Sequence, residues 1–304
     1  MSEAIEFSWS RHTVIDDSEL LKYIYEVESW EGGTLKVDSY CIKPSAGTLN
    51  QSGFIQFLRN QLPRFVFSQS ERDDRDWPGW DAPEFISEKE DDDNVGIVGE
   101  LILFVLVDAI LNMPMVCHKV SLKQDPVQAV KGSDGLFFGE FRGKDALAFG
   151  EAKFKTQRST AITEAIEDTE RFHGPEGHSK KGFELDVASR TLSEDLNEEE
   201  VRRIAETLSP ETTQHREIHP VFIGYEDDNL AEFQMECDDE EELIERIATR
   251  VSDSDLKAYV KEKIEEEHPE MQKYWMIFFL FPIEDTTNFK SEWQNAVFNS
   301  PGGN

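Results

Sequence analysis

Residues 131–155 read KGSDGLFFGEFRGKDALAFGEAKFK. Two runs rich in strand formers, 135–141 and 146–153, flank Arg142, Gly143 and Lys144, so the segment is expected to fold as a β-hairpin. In an antiparallel hairpin centred on Arg142 and Gly143, Gly135 stands opposite Gly150 and Asp134 opposite Glu151. Side chains alternate along a strand, which places Asp134, Leu136 and Phe138 on one face with Leu147, Phe149, Glu151 and Lys153. Two carboxylates and an ammonium group then gather at the open end of the hairpin, backed by four apolar side chains.

Partial burial of an Asp, a Glu and a Lys is costly unless the charges serve one another or bind a cation. Two hard oxygen donors at the ends of adjacent strands suit Mg²⁺, completed by water and phosphate oxygens, with Mn²⁺ able to take its place. Lys153 is placed to orient or deprotonate an attacking water, or to neutralise charge developing on phosphorus. Glu100, a charge inside the apolar helix expected over residues 95–112, offers a third carboxylate. Each residue also has an ordinary reading. A Glu-x-Lys pair on a strand is commonly a solvated pair, Asp134 could be a turn residue, and Glu100 could complement a helix dipole. What favours chemistry is the order: helix with Glu, strand with Asp, strand with Glu-x-Lys, then helix and strand.

That order resembles the PD-(D/E)xK nuclease superfamily. More narrowly, the stretch over residues 98–173, with GELILFVLVD, KGSDGLFF and LAFGEAKFK, is similar to the HamA nuclease subunit of Hachiman antiphage defence systems. The resemblance is strongest over the middle quarter of the chain and extends to the flanks in general layout only. It departs from the superfamily pattern at Ser133, where a proline would precede Asp134. The resemblance implies a restriction-endonuclease-like α/β core, a mixed sheet flanked by helices. It further implies Asp134 and Glu151 as metal ligands, Lys153 as catalytic lysine and Glu100 as the supporting helix carboxylate, itself a metal ligand. A superfamily 2 helicase of the HamB type is the implied partner and DNA the implied substrate.

The rest of the chain is read around this core. Its 304 residues are 38% hydrophobic and include 21 Phe, enough to bury a sizeable interior. Residues 1–94 are expected to form an N-terminal α/β region and connector: a helix over 18–28, strands over 35–42 and 64–67, a helix over 54–62, and a linker from 68. Residues 95–304 are expected to form the nuclease domain with acidic helical elaborations. Within it, strands are expected over 115–120, 219–225 and 274–283, and helices over 159–172, 181–208, 239–251 and 253–267.

Charge sets strong limits on partners. With 63 Asp plus Glu against 31 Lys plus Arg, the formal net charge is -32, and most of the surface should repel nucleic acid and anionic membranes. The acidic runs are spread along the chain, so no separate acidic tail explains them. A surface of this kind is expected of a protein adapted to high salt, which screens its self-repulsion, the other reading being an ordinary acidic protein of a mesophile. Between Lys119 and Arg158 the balance reverses, with eight basic and five acidic residues, a net +3. A polyanion would be steered there, and Lys131, Lys155 and Arg158 are the expected nucleic-acid contacts.

Several classes are argued against. Cys41, Cys117 and Cys237 form no CxxC pair, which suits a reducing compartment. The chain opens polar and acidic, unlike a signal peptide, and residues 95–117 contain Glu100, Asp108, Asn112 and Pro114, unlike a membrane span. A cytoplasmic protein without membrane association is expected. There is no GxxxxGK[ST] phosphate loop. His173 and His178, in HGPEGH, lack a ligand at helical spacing and read as loop residues rather than a zinc site; Gln157 reads as an exposed loop residue. Two other functions fit the composition: a restriction or repair endonuclease without a helicase, and a non-catalytic acidic interaction protein, either a degenerate nuclease scaffold or a DNA mimic. A mimic needs no buried Asp, Glu and Lys cluster.

Overall fold

The computed structural model describes residues 9–87, 96–117, 133–173, 196–208 and 215–298. In chain order its helices and strands begin with α1 (Asp17–Leu20), β1 (Ile24–Gly32), β2 (Leu35–Ile42), the two-residue strands β3 (Pro44–Ser45) and β4 (Thr48–Leu49), α2 (Gln51–Val66), α3 (Gln69–Asp73) and α4 (Pro78–Ser87). There follow α5 (Ile97–Leu111), β5 (Met115–Cys117), β6 (Gly135–Phe141), β7 (Lys144–Lys155), α6 (Arg158–His173) and α7 (Glu198–Leu208). The last set is β8 (Arg216–Glu226), α8 (Asn229–Glu236), α9 (Glu240–Ser252), α10 (Leu256–Glu262), β9 (Trp275–Ile283) and α11 (Thr286–Phe298).

The expected hairpin forms in the expected register. Gly135 pairs with Gly150, Leu136 with Phe149 and Phe141 with Lys144. The turn between them is Arg142 and Gly143, with φ of 53° and 72°. Positive φ at both central residues is the type I′ geometry whose twist matches that of a two-residue hairpin, and Gly143 adopts it without strain.

One seven-stranded sheet carries the fold, in the order β1-β2-β9-β8-β7-β6-β5. The four inner strands β2, β9, β8 and β7 are mutually parallel, while β1, β6 and β5 run antiparallel to their neighbours. Parallel strands need cover on both faces, which is why β8 and β9 are almost continuously apolar and buried. On one face α2, α5 and α11 bury Phe54, Leu101 and Trp293 against Phe222, Phe279 and Phe281. On the other, α6 and α10 bury Ile162, Ile166 and Val260 against Val221, Ile223 and Phe278. The outer part of that second face holds Leu136, Phe138, Leu147 and Phe149 with Trp9, Phe172 and Ile204. The mixed sheet flanked by helices is the α/β architecture expected of the chain.

The N-terminal region differs from expectation in its elements. Residues 18–28 are not a helix: α1 stops at Leu20 and β1 begins at Ile24. The strand wins because Gly32 and Gly33, the latter at φ 64°, close a tight return that pairs Ile24 with Ile42 and Trp30 with Val37. Residues 64–67 are not a strand either. Helix α2 continues through Pro63, because Phe65 and Val66 complete its buried stripe and the Phe67 N–H donates to the Pro63 carbonyl. The presumed linker from Ser68 contains α3, started by a reciprocal capping box between Ser68 and Glu71, and then α4. β2 pairs in parallel with β9, Leu35 opposite Met276, so one sheet runs through both the 1–94 and the 95–304 regions.

Asp108, deep in α5, has a structural partner. Its Oδ1 accepts hydrogen bonds from the Val14 and Ile15 amides at 2.9 and 2.8 Å, fixing the entry segment against the helix. Burial pushes its carboxyl up to about 7, against the opposing pull of those amides. Of the helix expected over 181–208, the described part is α7. Lys119, Lys123 and Lys131, His178 and the strand end at 118–120 lie outside the described residues. Cys41 is buried and Cys237 partly exposed, both as free thiols. Among the described residues no helix is long and apolar enough to cross a membrane.

Candidate active site

Strand β7 sorts its residues to two faces. Ala152 and Phe154 face α5, which passes so close that a β-carbon on Gly99 would meet theirs at 3.7 and 3.6 Å. Glu151 and Lys153 face the other way, toward α6, and form an ion pair with side chains only 14% and 16% exposed. Lys153 also reaches Asp168 on α6, Nζ to Oδ2 at 2.7 Å. Asp168 in turn is paired with Arg171 one turn on. The lysine is thus clamped between a carboxylate of its own strand and one of the following helix.

Asp134 closes the open end of the hairpin. Its N–H donates to the Gly150 carbonyl at 2.7 Å, and its Oδ2 accepts from the Ala152 N–H at 2.8 Å. The side chain therefore substitutes for the carbonyl that another residue of β6 would have offered the ladder. This holds the carboxylate close enough to Glu151 for their charges to interact, one residue beyond the last paired position, Gly135 with Gly150.

Electrostatics at this spot are under tension. Burial, followed by the neighbouring charge of Asp134, pushes the Glu151 carboxyl up to about 8 in spite of Lys153. For Lys153, burial acts to lower the value, but Glu151 and Asp168 outweigh it and the ammonium titrates above its ordinary range. A divalent cation between Asp134 and Glu151 would offset both the burial and the neighbouring charge that raise the Glu151 carboxyl. The donors are carboxylate oxygens, the type that Mg²⁺ prefers, so the residues present fit such an ion.

The remaining expected residues are placed as follows. Glu100 lies half-buried in the first turn of α5, directly after Gly99, on the helix that packs against the face of β7 opposite Glu151 and Lys153. Lys155 pairs with Glu164 on α6, and Arg142 pairs with Glu31 while stacking over Trp275 at 4.3 Å. Arg158 lines a recess of 260 Å³ with Gln157, Arg250, Glu226 and Asp227. The positive window read from the sequence is therefore partly answered by acids from elsewhere in the fold.

Two features escaped the sequence. Asp168 sits beside the apolar stripe Ile162, Ala165, Ile166 and Thr169 and looks like one more acid on an acidic chain. His173 is the last residue of α6, not a loop residue, and it meets Glu217 and His219 of β8. The Glu-x-His spacing on a strand was the available signal, since it sets both side chains on one face. At the level of the whole chain, the family model described as HamA matches residues 17–297. No curated protein matches the chain.

Proposed function

The chain belongs to the HamA family, and from that premise we propose that it is the nuclease subunit of a Hachiman-type complex, a Mg²⁺-dependent phosphodiesterase that cuts DNA together with a HamB-type helicase. Membership supports a role in Hachiman antiphage defence and implies a partner within that complex. The reading for activity rests on one observation: Asp134, Glu151 and Lys153 converge at the open end of the β6–β7 hairpin, with Lys153 also paired to Asp168.

In this reading Asp134 and Glu151 hold the metal, with Glu100 supporting them from α5. When bound, the ion supplies positive charge to a phosphodiester and lowers the pKa of a water molecule. Glu151 would be held ionised by such an ion and by Lys153, and Asp134 keeps one oxygen on the Ala152 amide so that its carboxylate cannot swing away. Lys153, flanked by two carboxylates, stays protonated. Its part is to place a fixed positive charge where negative charge develops on phosphorus, rather than to accept a proton. Asp168 positions the lysine without touching the reacting atoms. Lys155 and Arg158, next along the chain, are the contacts for the flanking backbone of the DNA.

The test is degradation of linear and supercoiled DNA by the purified chain in Mg²⁺ and high KCl, with and without the helicase partner. The comparison protein carries Glu151→Ala and Lys153→Ala. Metal-dependent cutting that the double variant loses supports the nuclease. Intact DNA in every wild-type reaction that contains the partner, with the protein folded, would sink it.

A further inference from the structure

We propose that His173, Glu217 and His219 form a second metal site, for Zn²⁺ or a similar first-row divalent ion, which fastens the C-terminal end of α6 to β8. The proposal does not rest on the nuclease reading. His173 Nε2 lies 2.9 Å from His219 Nε2, and Glu217 Oε1 lies 3.3 and 3.5 Å from those two nitrogens. Among the described residues this is the group of histidine and carboxylate atoms close enough to share an ion. Zinc bonds of about 2.0–2.1 Å in tetrahedral arrangement set ligand atoms roughly 3.3 Å apart. A point about 2 Å from all three atoms accordingly exists just outside the plane they define.

Hydrogen bonding alone serves this triangle badly. Each imidazole Nε2 carries at most one hydrogen. If both carry one, the 2.9 Å contact sets two donors against each other. If only one does and Glu217 is ionised, a single proton must satisfy three mutual contacts, and at least one contact is lone pair against lone pair. A cation accepts all three lone pairs at once. Two imidazoles and one carboxylate favour Zn²⁺ or its neighbours in the first transition row over Mg²⁺ or Ca²⁺, which prefer oxygen alone.

The surroundings hold the ligands in place. His219 is 1% exposed, and its ring lies nearly parallel to Phe149, while Tyr274 stacks on His173 at 3.9 Å and 15°. Glu217 and His219 project from one face of β8, and His173 comes down from α6 onto that face. The same helix presents Asp168 to Lys153. An ion here joins the helix that positions the lysine to the strand beside β7, and its function is structural.

The test uses the full chain, stripped with chelator and titrated with Co²⁺ and Zn²⁺, following the ligand-field absorption of Co²⁺ and the bound stoichiometry. Asp134→Asn with Glu151→Gln removes the hairpin carboxylates. Glu217→Gln and, separately, His173→Gln remove ligands of the second site, with folding checked by circular dichroism. One ion per chain with low-coordinate Co²⁺ bands is expected in the hairpin variant, and the same bands in the wild type whether or not the hairpin carboxylates take up a further ion. Either ligand variant should weaken binding by more than about tenfold, and Zn²⁺ should raise the melting temperature of the wild type but not of those variants. The proposal is overturned if the wild type takes up no such ion, if uptake disappears with the hairpin carboxylates, or if folded Glu217→Gln and His173→Gln proteins bind as tightly as the wild type. His173, at the end of its helix and 10% exposed, keeps the test open should the Glu217 variant fail to fold.

Discussion

Asp168 holds Lys153 from a different element: its Oδ2 lies 2.7 Å from Nζ, which also pairs with Glu151. Removing that carboxylate frees the lysine without removing its charge. Asp168→Asn is expected to lower the rate of DNA cleavage roughly 10-fold to 100-fold with little change in KM. Lys153→Gln should cost on the order of 10²-fold or more. Initial rates over a range of DNA concentrations separate the two. Equal losses in both variants would mean that Asp168 does more than position the lysine.

Asp134 has a structural and a proposed chemical task, and two substitutions divide them. Asn keeps an oxygen for the Ala152 amide, whereas Ala leaves that amide without its acceptor. Asp134→Asn should melt close to the wild type and have lost cleavage. Asp134→Ala should have lost cleavage and also about 1–3 kcal/mol of stability, read from denaturant unfolding. An active Asp134→Asn protein would remove the residue from the metal site.

Asp108 makes stability depend on pH, and the sign follows from the direction of its shift. Its carboxyl titrates near 7 in the folded chain and near 3.8 in the ordinary state. Below about pH 4 both folded and unfolded chains keep the proton, and the group has no effect on stability. Between there and pH 7 the unfolded chain ionises first, so stability falls as pH rises. Above pH 7 the full penalty applies, on the order of 4 kcal/mol. Asn at this position retains one oxygen for the amides of Val14 and Ile15, which both bond to Oδ1. Asp108→Asn should therefore be more stable than the wild type at pH 8 and keep less than half of that advantage at pH 5. Parallel melting curves at the two pH values check the narrowing; a difference between the proteins that is the same at both would remove Asp108 as its source.

Salt should stabilise the whole molecule. The net charge of -32 resides largely on exposed acids, and raising KCl from about 0.1 to 2 M shortens the screening length from roughly 10 Å to a few ångströms. The melting temperature is expected to climb across that range. A flat or falling curve would show that the acidic surface is not under strain in dilute buffer.

The hairpin and the three residues proposed for chemistry were legible because they depend on local rules. Strand alternation and a two-residue turn set Gly135 opposite Gly150 without knowledge of anything else, which brings Asp134 to the end of the ladder where Glu151 follows. The buried strands 216–226 and 275–283 were legible for a related reason, since a strand covered on both faces must be apolar throughout. Residues 18–28 misled because Leu20, Leu21, Ile24 and Val27 fit a helical stripe, and the Gly32–Gly33 turn that makes 24–32 a strand lies beyond that window. Pro63 misled in the opposite sense, since the burial of Phe65 and Val66 outweighs the cost of an imino acid inside α2. Asp168, and the meeting of His173 with Glu217 and His219, depend on how α6 lies across β7 and β8. No periodicity within either element encodes that crossing.

The parallel pairing of β2 with β9 has a consequence for how the protein is made. Leu35 waits for Met276 before the middle of the sheet can close, and β9 is also the neighbour on which β8 depends. A ribosome must therefore release the chain as far as β9 before β2 and β8 gain the strand that lies between them. Until then β2 and β8 each present a bare hydrogen-bonding edge, a hazard for aggregation. The same delay leaves β8, the strand beside β7, without its second neighbour, so a chain terminated before β9 would lack a completed sheet behind the proposed cutting site.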